Sequence, residues 1–139
     1  MSNLIIGIDP DLEKSGVATM EVKKLELSCM AFPDLMDYLI TFKPNIKKIV
    51  IEAGWLNKKS NWHGAKSVEL AARIGKNVGE NHATGKLIAQ MCESMGFVVE
   101  LVKPTSAKVN ADYFKRITDY VGRTNQEVRD AAMLVWGMS

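Results

Sequence analysis

At 139 residues, with 47% hydrophobic and 24% charged side chains, the chain has the composition of one ordinary folded domain, not of a disordered or fibrous segment. A net charge of +2 is too small to mark a nucleic-acid binder, and no segment reaches the roughly eighteen consecutive apolar residues of a membrane span. Cys29 and Cys92 lie far apart without C-x-x-C spacing, as buried free thiols in a reducing compartment would. The N-terminus lacks the basic start and long apolar run of a signal peptide, so the expected setting is cytoplasmic or otherwise intracellular.

Leu4-Ile5-Ile6-Gly7-Ile8-Asp9-Pro10 is an apolar run that reads as a strand buried on both faces. Pro10 cannot donate to a ladder, so the strand stops there and leaves Asp9 at its C-terminal rim; Asp before Pro is also a common turn start. Residues 15–20 read as the returning strand of a hairpin, and 22–31 contain a third strand after a Lys23-Lys24 turn. Pro33-Asp34 opens a helix with Leu35, Leu39 and Phe42 at helical spacing, closed by Lys43-Pro44-Asn45. Residues 46–52 repeat the first pattern: an apolar run, a terminal carboxylate (Glu52), then a Gly-containing loop.

Residues 56–66 are polar, basic and aromatic, a surface loop. Ser67 can cap a long helix running to about Met95, in which Gly75, Gly79 and Gly85 each cost roughly 1 kcal/mol relative to Ala and mark either a break or a close approach. Residues 97–102 form another strand, stopped by Lys103-Pro104; 107–120 and 125–136 read as helices. A meander followed by helix-separated strands implies an α/β domain with a mixed sheet flanked by helices, and no linker divides the chain into more than one domain over 1–139.

Glu127 and Asp130 are three apart on the last helix and project from one face. If the first and fourth strands lie side by side and parallel, Asp9 and Glu52 share a rim, and a helix packed over it brings Glu127 and Asp130 beside them. Four carboxylates need a compensating cation, and oxygen-only donors favour Mg²⁺ or Mn²⁺ over zinc. Two such ions about 4 Å apart activate a water and stabilise the leaving oxygen in phosphodiester cleavage. Glu127 has a second reading, because Thr124 and Glu127 have capping-box spacing.

On Ile6-Gly7-Ile8-Asp9-Pro10 followed by Gly16, on Ile49-Val50-Ile51-Glu52, and on Glu127-Val128-Arg129-Asp130-Ala131-Ala132, the chain resembles the RuvC family of Holliday-junction resolvases, in the ribonuclease H-like superfamily. The resemblance spans nearly the whole chain. It implies a ribonuclease H-like fold: a five-stranded mixed sheet, made of a three-stranded antiparallel meander and two further strands, flanked by helices. It further implies a homodimeric, Mg²⁺-dependent crossover junction endodeoxyribonuclease that makes paired nicks in four-way DNA, with Asp9, Glu52, Glu127 and Asp130 as ligands of two Mg²⁺ ions that Mn²⁺ can replace. Two departures stand out: Asp11 where the family commonly has Gly, and Glu127 where it commonly has Asp. The alternatives are a ribonuclease H-like nuclease acting on RNA–DNA hybrid or flap DNA, and a non-catalytic junction-binding protein.

Lys58, Lys59, Lys66, Arg73 and Lys76 follow Glu52, and Lys103, Lys108, Lys115 and Arg116 precede the last helix; both groups are candidate phosphate contacts, or else solubilising surface charges. The family carries basic residues in the region of Lys103 and Lys108, and Lys108 is also placed to stabilise charge developing on a phosphate. Trp55 and Trp62 can stack on unpaired bases at a branch or anchor a core or interface. Residues 79–86 have five residues between glycines and Leu87 in place of Ser or Thr, so they are no phosphate-binding loop; His63 and His82 lack zinc spacing.

Overall fold

The first apolar run forms β1 (Leu4–Asp9) at the centre of the sheet in a computed structural model, which describes residues 3–57, 67–105 and 107–138. After β1 come β2 (Ser15–Glu21), β3 (Lys24–Met30), α1 (Phe32–Phe42), a 3-10 turn (Lys43–Asn45), β4 (Ile46–Glu52), a second 3-10 turn (Gly54–Leu56), α2 (Val68–Ser94), β5 (Val99–Val102), α3 (Ala111–Thr118) and α4 (Gln126–Val135). The strand order is β3-β2-β1-β4-β5. β1 pairs antiparallel with β2, and β2 with β3; β1 and β4, and β4 and β5, run parallel. This is the mixed sheet expected from the chain order: a tight meander can be antiparallel, whereas a strand reached through a helix returns parallel.

Period-two alternation splits the strands between two cores. Ile6, Ile8, Ile49 and Ile51 face α1 and α2, where Leu35, Leu39, Ile88 and Cys92 fill the layer. Ile5, Ala18, Met20 and Val50 face the opposite way, against Phe114 of α3 and Ala131, Ala132 and Val135 of α4. Each fully buried isoleucine contributes roughly 1.5–3 kcal/mol relative to exposure.

On the α4 side two glycines set the spacing. A Cβ on Gly7 would run into the carbonyl oxygen of Ala131, and one on Gly16 into that of Glu127. The missing side chains let the α4 backbone lie directly on β1 and β2.

α2 runs unbroken despite its glycines, and Ser67 caps it, its hydroxyl accepting from Leu70 N at 3.1 Å. Gly85 is the close approach: a Cβ there would strike the Trp55 ring and crowd Pro10. Trp55 is half-buried against the core. α3 is shorter than the 107–120 expected, because Asn110 caps it through Tyr113 N and residues before it serve as a loop. The thiols differ from expectation in one respect. Cys92 is buried, its pKa pushed up to about 12 by burial and then by Glu93, but Cys29 is exposed on the edge strand β3, where its Sγ accepts from Asn125 Nδ2. Among the described residues no helix is long and apolar enough to cross a membrane.

Candidate metal centre

Two adjacent parallel strands bring the first two acids together. β1 and β4 are in register at Ile8 and Ile51, so Asp9 and Glu52, one residue further, end side by side at the C-terminal rim. Since Ile8 and Ile51 point toward α1 and α2, alternation turns both carboxylates toward α4. There α4 supplies Asp130, one residue before the alanine whose carbonyl rests on Gly7. Ligand oxygens of Asp9, Glu52 and Asp130 all lie within 4.8 Å of one another. The side chains of Glu52 and Asp130 are only 11% and 14% exposed.

Crowded, sparsely solvated carboxylates resist ionising together. Burial, then the charge of Glu52 and a hydrogen bond with it, then the charge of Asp130, push Asp9 up to about 8, opposed by the pull of Lys108. Lys108 Nζ sits 3.0 Å from Asp130 Oδ2 and 3.7 Å from Glu52 Oε1. Burial draws the pKa of this ammonium down, but the hydrogen bond to Asp130 and the charges of Glu52, Asp130 and Asp9 outweigh it and hold it above the usual lysine value.

Glu127 stands apart. It is exposed, outside the group of three, while its own carbonyl packs on Gly16. Its capping-box reading is overturned: Asn125 is the N-cap of α4, its Oδ1 accepting from Val128 N at 2.9 Å, and Thr124 Oγ1 instead accepts from Arg129 Nη1 at 2.8 Å. Asp11 has a turn role, its Oδ2 accepting from Glu13 N and Lys14 N.

A cleft of about 840 Å³ opens from Asp9, Glu52 and Lys108, between Trp55 and the Gly75–His82 stretch of α2. His82 packs edge-on to Trp55 and over Gly54; burial, then Lys86, lowers its pKa. A smaller cavity of about 360 Å³ on the other side of Lys108 includes Lys103, Glu52 and Asp130. Of the remaining predicted basic residues, Arg73 and Lys76 are exposed on α2, Lys76 3.7 Å from Glu80. Lys115 and Arg116 are exposed in the last turn of α3, where cations suit the carbonyl end of a helix. Lys58, Lys59, Trp62 and Lys66 lie outside the described residues.

Two residues at the site went unread in the sequence. Gln126 Nε2 donates to Asp130 Oδ1 at 2.8 Å, and Arg129 Nη2 donates to Gln126 Oε1 at 3.0 Å. The signal was there in the Gln-x-x-x-Asp spacing, which places an amide and a carboxylate together on one helix face.

The donor set fits a hard divalent cation. Among the described residues the group is made of carboxylates alone, without His or Cys, and the lysine drawn among them shows that the spot demands positive charge.

No protein-family model and no curated protein matches the chain. Among solved structures it is similar to Thermus thermophilus RuvC in complex with a Holliday junction substrate, at 12% identity and a TM-score of 0.55, covering 95% of this chain and 90% of that one. It is also similar to another T. thermophilus RuvC structure, at 12% identity and a TM-score of 0.53, covering 94% and 90%. The fold is RuvC-like and ribonuclease H-like, as the motif resemblance implied.

Proposed function

We propose that the chain is a structure-selective DNA endonuclease of the resolvase type, nicking four-way junctions with the aid of bound Mg²⁺, or Mn²⁺ in its place. The observation that carries this is the meeting of Asp9, Glu52 and Asp130, from three separate elements, at the mouth of a cleft with a lysine beside them. When bound, divalent cations at such a centre activate a water and neutralise charge on the scissile phosphate and its leaving oxygen.

The chain's own residues do the rest. Asp9, Glu52 and Asp130 hold the cations through oxygen. Lys108 balances the carboxylates in the metal-free chain and, exposed over nearly half its side chain, faces the cleft where a phosphate oxygen would lie. The Trp55 and α2 walls of the cleft flank the strand, and Arg73, Lys76, Lys103, Lys115 and Arg116 add phosphate contacts, as do Lys58, Lys59 and Lys66, with Trp62 as a stacking surface. A homodimer suits this activity, because a four-way junction offers two equivalent strands to a two-fold assembly.

The test is cleavage of an end-labelled four-way junction against its linear arms, with Mg²⁺ or EDTA, for the wild type, Asp9→Asn and Glu127→Gln. Symmetric nicks near the branch, dependent on metal and reduced to the EDTA level by Asp9→Asn, are expected. Junction binding by Asp9→Asn should persist. Full activity in Glu127→Gln restricts the site to three acids, whereas its loss makes Glu127 the fourth. Cleavage of hybrid or flap DNA in preference to the junction moves the substrate within the same nuclease class. Junction-selective binding without nicks under any divalent metal overturns the proposal.

A further inference from the structure

Asp130 is gripped from two sides. Its Oδ2 accepts from Lys108 Nζ at 3.0 Å and its Oδ1 from Gln126 Nε2 at 2.8 Å. The Gln126 amide is itself polarised by its neighbours: a guanidinium only donates and a carboxylate only accepts, so the oxygen must face Arg129 and the nitrogen Asp130. Arg129 is fixed in turn, Nε donating to Val109 O at 2.9 Å and Nη1 to Thr124 O and Oγ1 at 3.0 and 2.8 Å. Val109 follows Lys108 directly, so one guanidinium ties the loop that carries the lysine to the helix that carries the aspartate. The contacts close a circuit through Lys108, Asp130, Gln126, Arg129 and the Val109 carbonyl.

From this circuit we infer that Gln126 and Arg129 are positioning residues of the metal centre: Gln126 holds one Asp130 oxygen and so fixes the rotation of the carboxylate, and Arg129 sets both that amide and the Lys108 loop. In metal sites such outer partners orient the ligand and raise affinity, and losing one typically costs about 10–100-fold in metal binding. A carboxylate free to rotate can swing away from the site; a hydrogen bond to one of its oxygens restrains that rotation and still leaves lone pairs open to a cation.

The inference rests on the metal reading above, and its test separates the two. Mn²⁺ binding to the purified chain is followed by the paramagnetic signal of the free ion for wild type, Gln126→Met and Arg129→Lys, alongside the Mg²⁺ dependence of junction cleavage and the melting temperature without metal. Gln126→Met should weaken Mn²⁺ binding about 10-fold or more and raise the Mg²⁺ needed for half-maximal cleavage in parallel, leaving junction binding in EDTA unchanged. Arg129→Lys, whose single ammonium cannot span Val109 O and Gln126 Oε1 together, should weaken Mn²⁺ binding in the same direction by less, and it answers the question if Gln126→Met does not fold. A lower melting temperature with unaltered Mn²⁺ affinity in a folded variant reduces the circuit to a structural one and overturns the inference alone. A wild-type chain with no saturable Mn²⁺ site brings down the metal reading and this inference together.

Discussion

The two faces of the sheet are built on different principles. On the α1 and α2 side, branched aliphatic side chains from β1 and β4 meet leucines and isoleucines of the helices, and volume fills the gap. On the α4 side, glycines on β1 and β2 oppose a helix whose buried positions include Ala131 and Ala132, and backbone lies against backbone. The first arrangement is a generic core that tolerates repacking. The second fixes the height of α4 above the sheet, and with it the distance of Asp130 from Asp9 and Glu52. Both faces bury a core, but the acids gather on the second alone, although the same two strands serve both.

Substitutions can break this contrast. Leu39→Ala on the aliphatic face should show the largest loss of stability, about 2–5 kcal/mol by denaturant unfolding, because Leu39 is fully buried and truncation removes its packing in the core. Mn²⁺ affinity of the folded fraction should be unaffected. Gly7→Ala should cost less, about 1–3 kcal/mol from overpacking, yet damage function far more. Its methyl group collides with the Ala131 carbonyl and lifts α4 off the rim, and misplacing a reacting group by about 1 Å can cost about 100-fold in rate. A variant that unfolds easily but binds metal, beside one that folds but does not, would establish the division. Equal effects of both on metal affinity would erase it.

The smallest effect is a pH slope that belongs to the α4 face alone. Asp9 is raised in the folded chain from 3.8 to about 8, so the folded state holds a proton that the unfolded state has released. Its contribution to stability is complete below the unfolded value and is lost as pH rises through about 8. The metal-free wild type should therefore melt at lower temperature at pH 9 than at pH 7, a window above the ordinary range of histidine titration. Mg²⁺ should remove the slope by satisfying the ionised carboxylate, and Asp9→Asn should lack it. A wild type whose melting temperature is flat or rising over that interval would show that Asp9 is already ionised without metal.

Much of this site was legible because its first two parts are local. An apolar run that ends on a carboxylate and a chain-breaking residue defines both a buried strand and the rim position of its acid, and this holds for Asp9 and Glu52. Chain order then made β1 and β4 parallel neighbours, since a strand returning through a helix has few other places to pair. The last helix was harder. Glu127 and Asp130 are equivalent by spacing, but packing gives Asp130 to the rim and leaves Glu127 exposed. Thr124 and Asn125 are both good caps by type, and Thr124 is instead taken up by Arg129.

What the sequence by itself determined is the order and kind of the elements, the alternation that turns Asp9 and Glu52 the same way, and the need of clustered acids for a cation. Those follow from hydrogen-bonding geometry and periodicity over a few residues. Only the tertiary structure decided that Lys108 reaches Asp130, 22 positions further along the chain, that Gly7 and Gly16 are seats for a helix backbone, and that Arg129 ties α4 to the Val109 carbonyl. Such contacts depend on the height and rotation of α4 over the sheet, set by packing between segments distant in the chain, and no local pattern encodes them.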